Sequence, residues 1–269
     1  MKKHNESNER VKREYFQYLK EAQRYGEHSV DAVAKAISRF EEYNRFRDFK
    51  AFHFEQAIAF KRHLVEQTSQ RGTGKLSKST VVSTLQALRK FFFWLASQPS
   101  YRSRINFSDP DYFNPSDRDV AIALGKRPRL VPSLEMIQHT LRSMPSGTVI
   151  ERRDRALMAF ITLSGCRDKA AVTVKLKHIS LKEQLVLLDA REVDTKFAKT
   201  ITTYFFPVGD EPLSYFVDWI AELTSVHLWG PDDPLFPATR VARGVDEQFG
   251  ATGIERRHWS NAGPVRRIF

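Results

Sequence analysis

The sequence predicts a mainly α-helical protein with a small antiparallel β-sheet, built as a helical N-terminal domain followed by a mixed α+β C-terminal domain. Three observations carry that expectation. From about Glu9 to Ala96 glycines are few, prolines are absent, and apolar residues recur at spacings of three and four. Between Gln98 and Pro132 this period stops and Pro99, Pro110, Pro115, Pro128 and Pro132 stand among Ser, Asp and Asn. From His178 to Pro207 the pattern alternates and β-branched residues dominate, which is the period of a strand. The boundaries that follow are 1–98 for the helical domain, 99–130 for a linker and 131–269 for the mixed domain. A chain of 269 residues is long enough for two cores of roughly 100–150 residues each.

In chain order, Ser29 precedes a helix that places Val30, Val33, Ala34, Ile37 and Phe40 on one face, with Arg39, Glu41 and Glu42 outside. Phe54, Ile58 and Val65, with the stem of Lys61 between them, give a further short helix. After Gly72-Thr-Gly-Lys-Leu-Ser77, either Ser77 or Ser79 caps a helix striped by Val81, Leu85, Leu88, Phe92 and Leu95. Phe91-Phe-Phe-Trp94 makes the end of that helix apolar almost all round, which reads as core packing before base stacking. Lys75, Lys78, Arg89 and Lys90 rim the stripe, either against phosphates or as a solvated face. The cluster Lys126-Arg127-Pro128-Arg129 puts positive charge into the linker.

In the second half, Ser133 caps a helix carrying Leu134, Ile137 and Leu141, and Asp154 opens another through Leu157, Phe160, Ile161 and Leu163. Gln184 to Leu188 and Thr200 to Phe206 are the strands of the small sheet. Leu213, Phe216, Val217, Ile220 and Leu223 restore helical spacing, with Trp219 packing beside them.

Composition narrows the function. Lysine and arginine number 43 against 32 acids, a formal charge of +11, which favours a polyanionic partner such as nucleic acid. Cys166 is the single cysteine, so disulfides and cysteine zinc clusters are excluded and a reducing cytoplasm is the expected location. No apolar run reaches about 18 residues, so a membrane partner is not expected.

Thr162-Leu-Ser-Gly-Cys-Arg167 follows an apolar helix, and Asp194-Thr-Lys-Phe-Ala-Lys199 follows it roughly thirty residues later in a hairpin. Leu235-Phe-Pro237 and the stretch His258 to Phe269 come after. In this order the segments resemble the tyrosine recombinases, the phage-integrase family of site-specific recombinases, over nearly the whole chain. The resemblance implies a helical core-binding (SAM-like) domain and a catalytic domain of that family. Arg167 would correspond to the first catalytic arginine, whose planar fork suits two non-bridging phosphate oxygens. Lys196, or alternatively Lys199, would correspond to the hairpin lysine that protonates the leaving 5′ oxygen. Ala170 departs from the pattern, where many members carry an acid.

The resemblance further implies double-stranded DNA as partner, DNA integration or recombination as the process, several copies acting together on DNA, and no metal or other cofactor. The family's second box, His-x-x-Arg, and its nucleophilic tyrosine are expected beyond Phe269. Tyr204 and Tyr215 read as packing residues, so these 269 residues are expected to bind DNA without cleaving it. A non-catalytic DNA-binding regulator or competitor is the alternative.

Overall fold

Asn5 opens the first helix. Its side chain accepts a hydrogen bond from the Asn8 backbone N–H at 3.2 Å, and Glu6 and Glu9 place negative charge beside the remaining free amides, so α1 runs Glu6–Glu21. The computed structural model describes residues 4–69, 74–125, 130–243 and 247–269. The chain divides into two compact units, Met1–Pro128 and Arg129–Phe269. The expected fold class is the one observed, mainly helical with small antiparallel sheets.

In the first unit α2 spans Glu27–Tyr43 and is preceded by Gly26 at its cap position, three residues earlier than the Ser29 cap the sequence suggested. Helix α3 spans Phe54–Glu66 and buries Ala57, Phe60 and Leu64. Its buried face is therefore rotated from the one read off Phe54, Ile58 and Val65, and Phe54 is exposed. Helix α4 spans Lys78–Ser97 and is capped by the Ser77 hydroxyl, which accepts from the Thr80 N–H. Its stripe of Val81, Leu85, Leu88, Phe92 and Leu95 is buried as expected, and Phe91 is buried beside it.

These faces meet in an aromatic core. Phe40 of α2 meets the rings of Phe60 and Phe92 edge-on, both at 5.2 Å, and Phe52 stacks on Phe92 at 3.9 Å. Phe113 completes the stack against Phe52 and Phe92. Each ring buried this way contributes on the order of 2–3 kcal/mol. Phe113 comes from the proline-rich stretch assigned to a linker. There Tyr101, Ile105 and Phe113 are all buried in the first core, Pro110 stands at the start of a tight helical turn, Asp109–Phe113, and α5 (Asp117–Leu124) is capped by Ser116. Proline at the first position of a turn marks an ordered start as readily as a break.

A polar knot lies beneath this core. Asn8 is fully buried; its Oδ1 accepts from the Phe49 N–H, and its Nδ2 donates to Glu41 Oε1 and to the Arg47 carbonyl. Glu41, expected on the outside of α2, is instead buried, because Lys12 of α1 donates to its other oxygen at 2.6 Å. A carboxylate is tolerated inside when both its oxygens are bonded.

In the second unit α6 (Leu134–Ser143) is capped by Ser133. Helix α7 spans Val149–Ser164 and opens on a reciprocal cap between Thr148 and Glu151. Asp154, expected to open the helix, lies in its interior and pairs with Arg153. After α8 (Asp168–Thr173) come β1 (Ile179–Ser180), β2 (Leu185–Leu188) and β3 (Ile201–Tyr204), an antiparallel sheet in sequential order. Helix α9 (Asp210–Ala221) packs on α7 through Phe216 and Phe160, 5.2 Å apart, and Trp219 donates to the Leu235 carbonyl at 2.8 Å. A second hairpin, β4 (Ala238–Arg243) with β5 (Phe249–Glu255), and the short α10 (Gly263–Ile268) follow. Among the described residues no helix is long and apolar enough to cross a membrane.

Replacing Asn8 by alanine strands the Phe49 N–H, the Arg47 carbonyl and one Glu41 oxygen inside the first unit. The expected loss is on the order of 3 kcal/mol, read as a lower urea midpoint for that unit. A midpoint within 0.5 kcal/mol of the parent, roughly what a bland surface change costs, would mean that the knot is not what holds α1 to α2.

Candidate functional site

The turn between α7 and α8 is set by Gly165. Its φ of 62° is left-handed, and its N–H bonds to the Ile161 carbonyl to close α7. A Cβ here would also sit 3.1 Å from the Phe206 ring, so glycine satisfies two separate demands. The chain then turns back on Ser164, whose hydroxyl accepts from the Cys166 N–H. Cys166 is buried, and burial pushes its thiol up to about 12, which makes it a packing residue and not a nucleophile. Arg167 follows as the extended residue that starts α8. Its guanidinium is exposed and has no hydrogen bond or ion pair among the described residues.

The loop from β2 to β3 reaches α8 from the other direction. Its base is held by Glu192, which Lys175 and Lys177 both bond at 2.9 Å, with the His178 ring 3.7 Å away. Those two lysine hydrogen bonds pull the Glu192 carboxyl down to about 2. Val193 is buried. Asp194 then docks on α8 twice: its backbone N–H donates to Thr173 Oγ1 at 2.8 Å, and its carboxylate pairs with Lys169 at 3.2 Å.

Beyond this tether the loop tip is exposed. Lys196–Ala198 forms a tight turn with Phe197 and Ala198 in left-handed conformation. The Lys196 ammonium lies 4.9 Å from the centre of the exposed Phe197 ring, and neither Lys196 nor Lys199 meets a carboxylate among the described residues. Arg167 and Lys196 are therefore each two residues from the Lys169–Asp194 pair that joins the two loops.

The C-terminal stretch adds two arginines to which the sequence reading gave no role. Arg266 of α10 donates to Asp168 Oδ2 at 2.5 Å, next to Arg167. Burial works against the charge on Asp168, but the Arg266 bond and the Lys169 amide hold its carboxyl below the usual range. Arg267 is exposed without a partner among the described residues. His258 anchors the stretch through Nδ1, 2.8 Å from the Val172 carbonyl. The signal available in the sequence was the Arg266-Arg267 pair in the last turn of a short helix. Tyr215 lies beneath the Arg155 guanidinium, 4.3 Å from its ring centre, whereas Tyr204, read as a packing residue, is exposed on β3.

In the first unit the predicted basic rim is largely engaged. Lys75 pairs with Glu66 at 2.7 Å, Lys78 with Asp119 at 2.6 Å, and Arg89 with Asp111 at 2.6 Å while lying over the Phe93 ring. Exposed pairs of this kind are worth about 0–1 kcal/mol, so a phosphate can displace them at little cost. Lys90 is exposed, 3.5 Å from the Tyr25 hydroxyl. It shares a groove of about 310 Å³ between α2 and α4 with Lys35 and Arg39, and among the described residues no carboxylate lines it. Arg39 donates to Thr84 Oγ1 at 3.1 Å. Lys126, Arg127 and Arg129 lie outside the described residues.

No protein-family model matches the chain, and no curated protein does. Among solved structures it is similar to a crystal structure of XerA recombinase, at 14% identity and a TM-score of 0.33, over 98% of this chain and 75% of that one. A likeness that distant decides neither fold nor function.

The histidines of this region give the second unit a pH dependence. Burial pushes both His178 and His258 below the ordinary imidazole value. His178 Nδ1 accepts the Lys175 N–H at 3.0 Å, a bond that protonation at Nδ1 would break. The unfolded chain takes up these protons near pH 6.5 and the folded one only at lower pH, so the stability contribution is present above about pH 6.5 and declines below it. The urea midpoint of the second unit is expected to be level from pH 8 to 7 and to drop between about 6.5 and 5. With His178→Gln and His258→Gln together, that drop should shrink; an unaltered drop would assign it to other groups.

Proposed function

We propose that this chain is a DNA-binding protein of the tyrosine-recombinase type, which grips the phosphate backbone and contributes positive charge to a strand-exchange site. The observation that supports the reading is the Lys169–Asp194 ion pair, whose two partners each stand two residues along the chain from one of the cations, Arg167 and Lys196. Both cations are unneutralised in a unit where most others are paired.

In this reading Arg167 binds the non-bridging oxygens of one phosphodiester, using the two parallel N–H donors of its fork. Lys196 reaches the same phosphate from the loop tip and supplies the proton to the leaving 5′ oxygen, with Lys199 as the nearby second ammonium. Arg266 keeps the start of α8 in place through Asp168. Such preorganised cations matter most when charge develops on the phosphorus oxygens, where losing one donor costs about 3–4 kcal/mol. The groove of Lys35, Arg39 and Lys90 takes flanking backbone phosphates, and these contacts fix position without reading sequence.

Residues 1–269 furnish binding and charge in this scheme, but not the attacking group. Tyr215 is held under Arg155, and Tyr204 stands at the end of β3 away from the Lys196 loop. DNA breakage and rejoining then calls for a nucleophile other than these two tyrosines.

The test is anisotropy of a fluorescent duplex across a salt series. The logarithm of the binding constant should fall linearly with the logarithm of salt, and Arg167→Ala and Lys196→Ala should each reduce the slope by about 0.9. On a nicked suicide duplex the 269-residue chain should bind without forming a covalent adduct. Salt-independent binding, or two variants indistinguishable from the parent, would remove the basis of the proposal.

A further inference from the structure

A second cationic site lies in the first unit, where α2 gives way to α3. Helix α2 ends at Tyr43, and the chain turns through Arg45 and Phe46, both left-handed with φ of 57° and 58°. Side-chain-bearing residues take up that conformation at a cost, so two in succession require a turn held from outside. It is held at three points: Phe46 N–H to the Glu41 carbonyl at 2.8 Å, Asn5 Nδ2 to the Phe46 carbonyl at 3.2 Å, and buried Asn8 to the Arg47 carbonyl at 3.0 Å. The side chains of Arg45 and Arg47 are left exposed on this fixed turn. Neither guanidinium has a hydrogen bond or ion pair among the described residues.

Both arginines line a cleft of about 450 Å³, together with Tyr43, Asn44, His53 and Gln56. His53 precedes α3 and makes no side-chain cap, while its carbonyl accepts the Gln56 N–H at 3.0 Å. Glu55 is the one carboxylate in the lining, and it stands 3.5 Å from His53 Nδ1. The two guanidiniums carried on this turn and the positive end of a thirteen-residue helix outweigh that single charge. None of these lining residues belongs to the groove between α2 and α4.

We propose that this cleft is a phosphate-binding site, with Arg45 and Arg47 as its principal ligands and His53 at its edge. Its volume exceeds that of a bare phosphate, leaving room for the sugar or other group to which the phosphate is attached. The phosphate comes from one of two sources: the backbone of bound DNA, which rests on the function proposed above, or a free phosphomonoester, which does not.

The experiment has two arms on the full chain. In the first, inorganic phosphate is titrated while the His53 ring resonances, identified with His53→Gln, are followed by NMR. In the second, duplex affinity is measured across the salt series. Both are repeated on Arg45→Gln/Arg47→Gln, whose unfolding transition establishes that it folds. Saturable movement of the His53 signals in the parent and its loss in the double variant supports the site. A salt slope lower by about 1.8 in the double variant, two contacts at about 0.9 each, assigns the phosphate to DNA. An unchanged slope with the phosphate response retained in the parent assigns it to a monoester. If the parent binds no duplex yet His53 still responds, the function proposed above fails and this site stands. If His53 is unmoved and the two slopes agree, the site does not exist.

Discussion

Asp194 is the residue on which the geometry of the second unit's exposed cations depends. A hairpin loop that projects lysines has no reason to lie near any particular helix, because like charges push it away. The backbone N–H of Asp194 to Thr173 and its carboxylate to Lys169 remove that freedom at two points one helical turn apart. Glu192, held by two lysines, fixes the same loop from its base. These contacts commit Glu192 and Asp194 to anchoring, Asp189 pairs with Arg191, and among the described residues no carboxylate meets Lys196 or Lys199 at the tip. The arrangement is economical in charge: each carboxylate near the site neutralises a cation other than Arg167 or Lys196.

The same division runs through the first unit. Lys75, Lys78 and Arg89 are matched to acids, whereas among the described residues Lys35, Arg45, Arg47 and Lys90 meet none. A net charge of +11 says only that unmatched cations exist. Where they gather depends on which acids the fold withdraws. Glu41 is the clearest case, since burying it against Lys12 and Asn8 takes one carboxylate off the surface and pins the turn that carries Arg45 and Arg47.

Much of this was legible beforehand, and the parts that were not have identifiable physical reasons. Ser77 and Ser133 announced their helices because a hydroxyl ahead of an apolar stripe has little other use, and the α4 stripe survived intact since all its members face one core. The turn at Gly165 and the alternation of β2 and β3 were equally plain, and they place Arg167 and the Lys196 loop in the chain. Asp154 misled because an acid is a good cap, but Thr148 with Glu151 is a better one six residues earlier. The β4–β5 hairpin escaped because most of its outer residues are exposed and so carry no apolar alternation. Residues 99–130 read as a linker because proline interrupts a helical period; that does not reveal that Phe113, three residues after one such proline, fills the aromatic core. That Asp194 binds α8 was not readable at all, since nothing local distinguishes a carboxylate that docks from one that is solvated.

The C-terminal stretch shows how a role can arise from packing before chemistry. Arg153 of α7 is buried, bonded to the Pro237 carbonyl and Thr239, and lies over the Trp259 ring at 4.6 Å. One residue earlier in the chain, His258 meets Val172 in α8, and seven residues after Trp259, Arg266 meets Asp168 at the start of that helix. The stretch thus touches α7 at Arg153 and α8 at Val172 and Asp168, and the last of these is the residue next to Arg167 in the chain. A buried guanidinium is costly unless every donor is used, and using them here requires the β4 strand, the Trp259 ring and Asp154 together. Buried Arg153 and exposed Arg266 thus hold two points of one stretch, Arg153 over the Trp259 ring and Arg266 against Asp168.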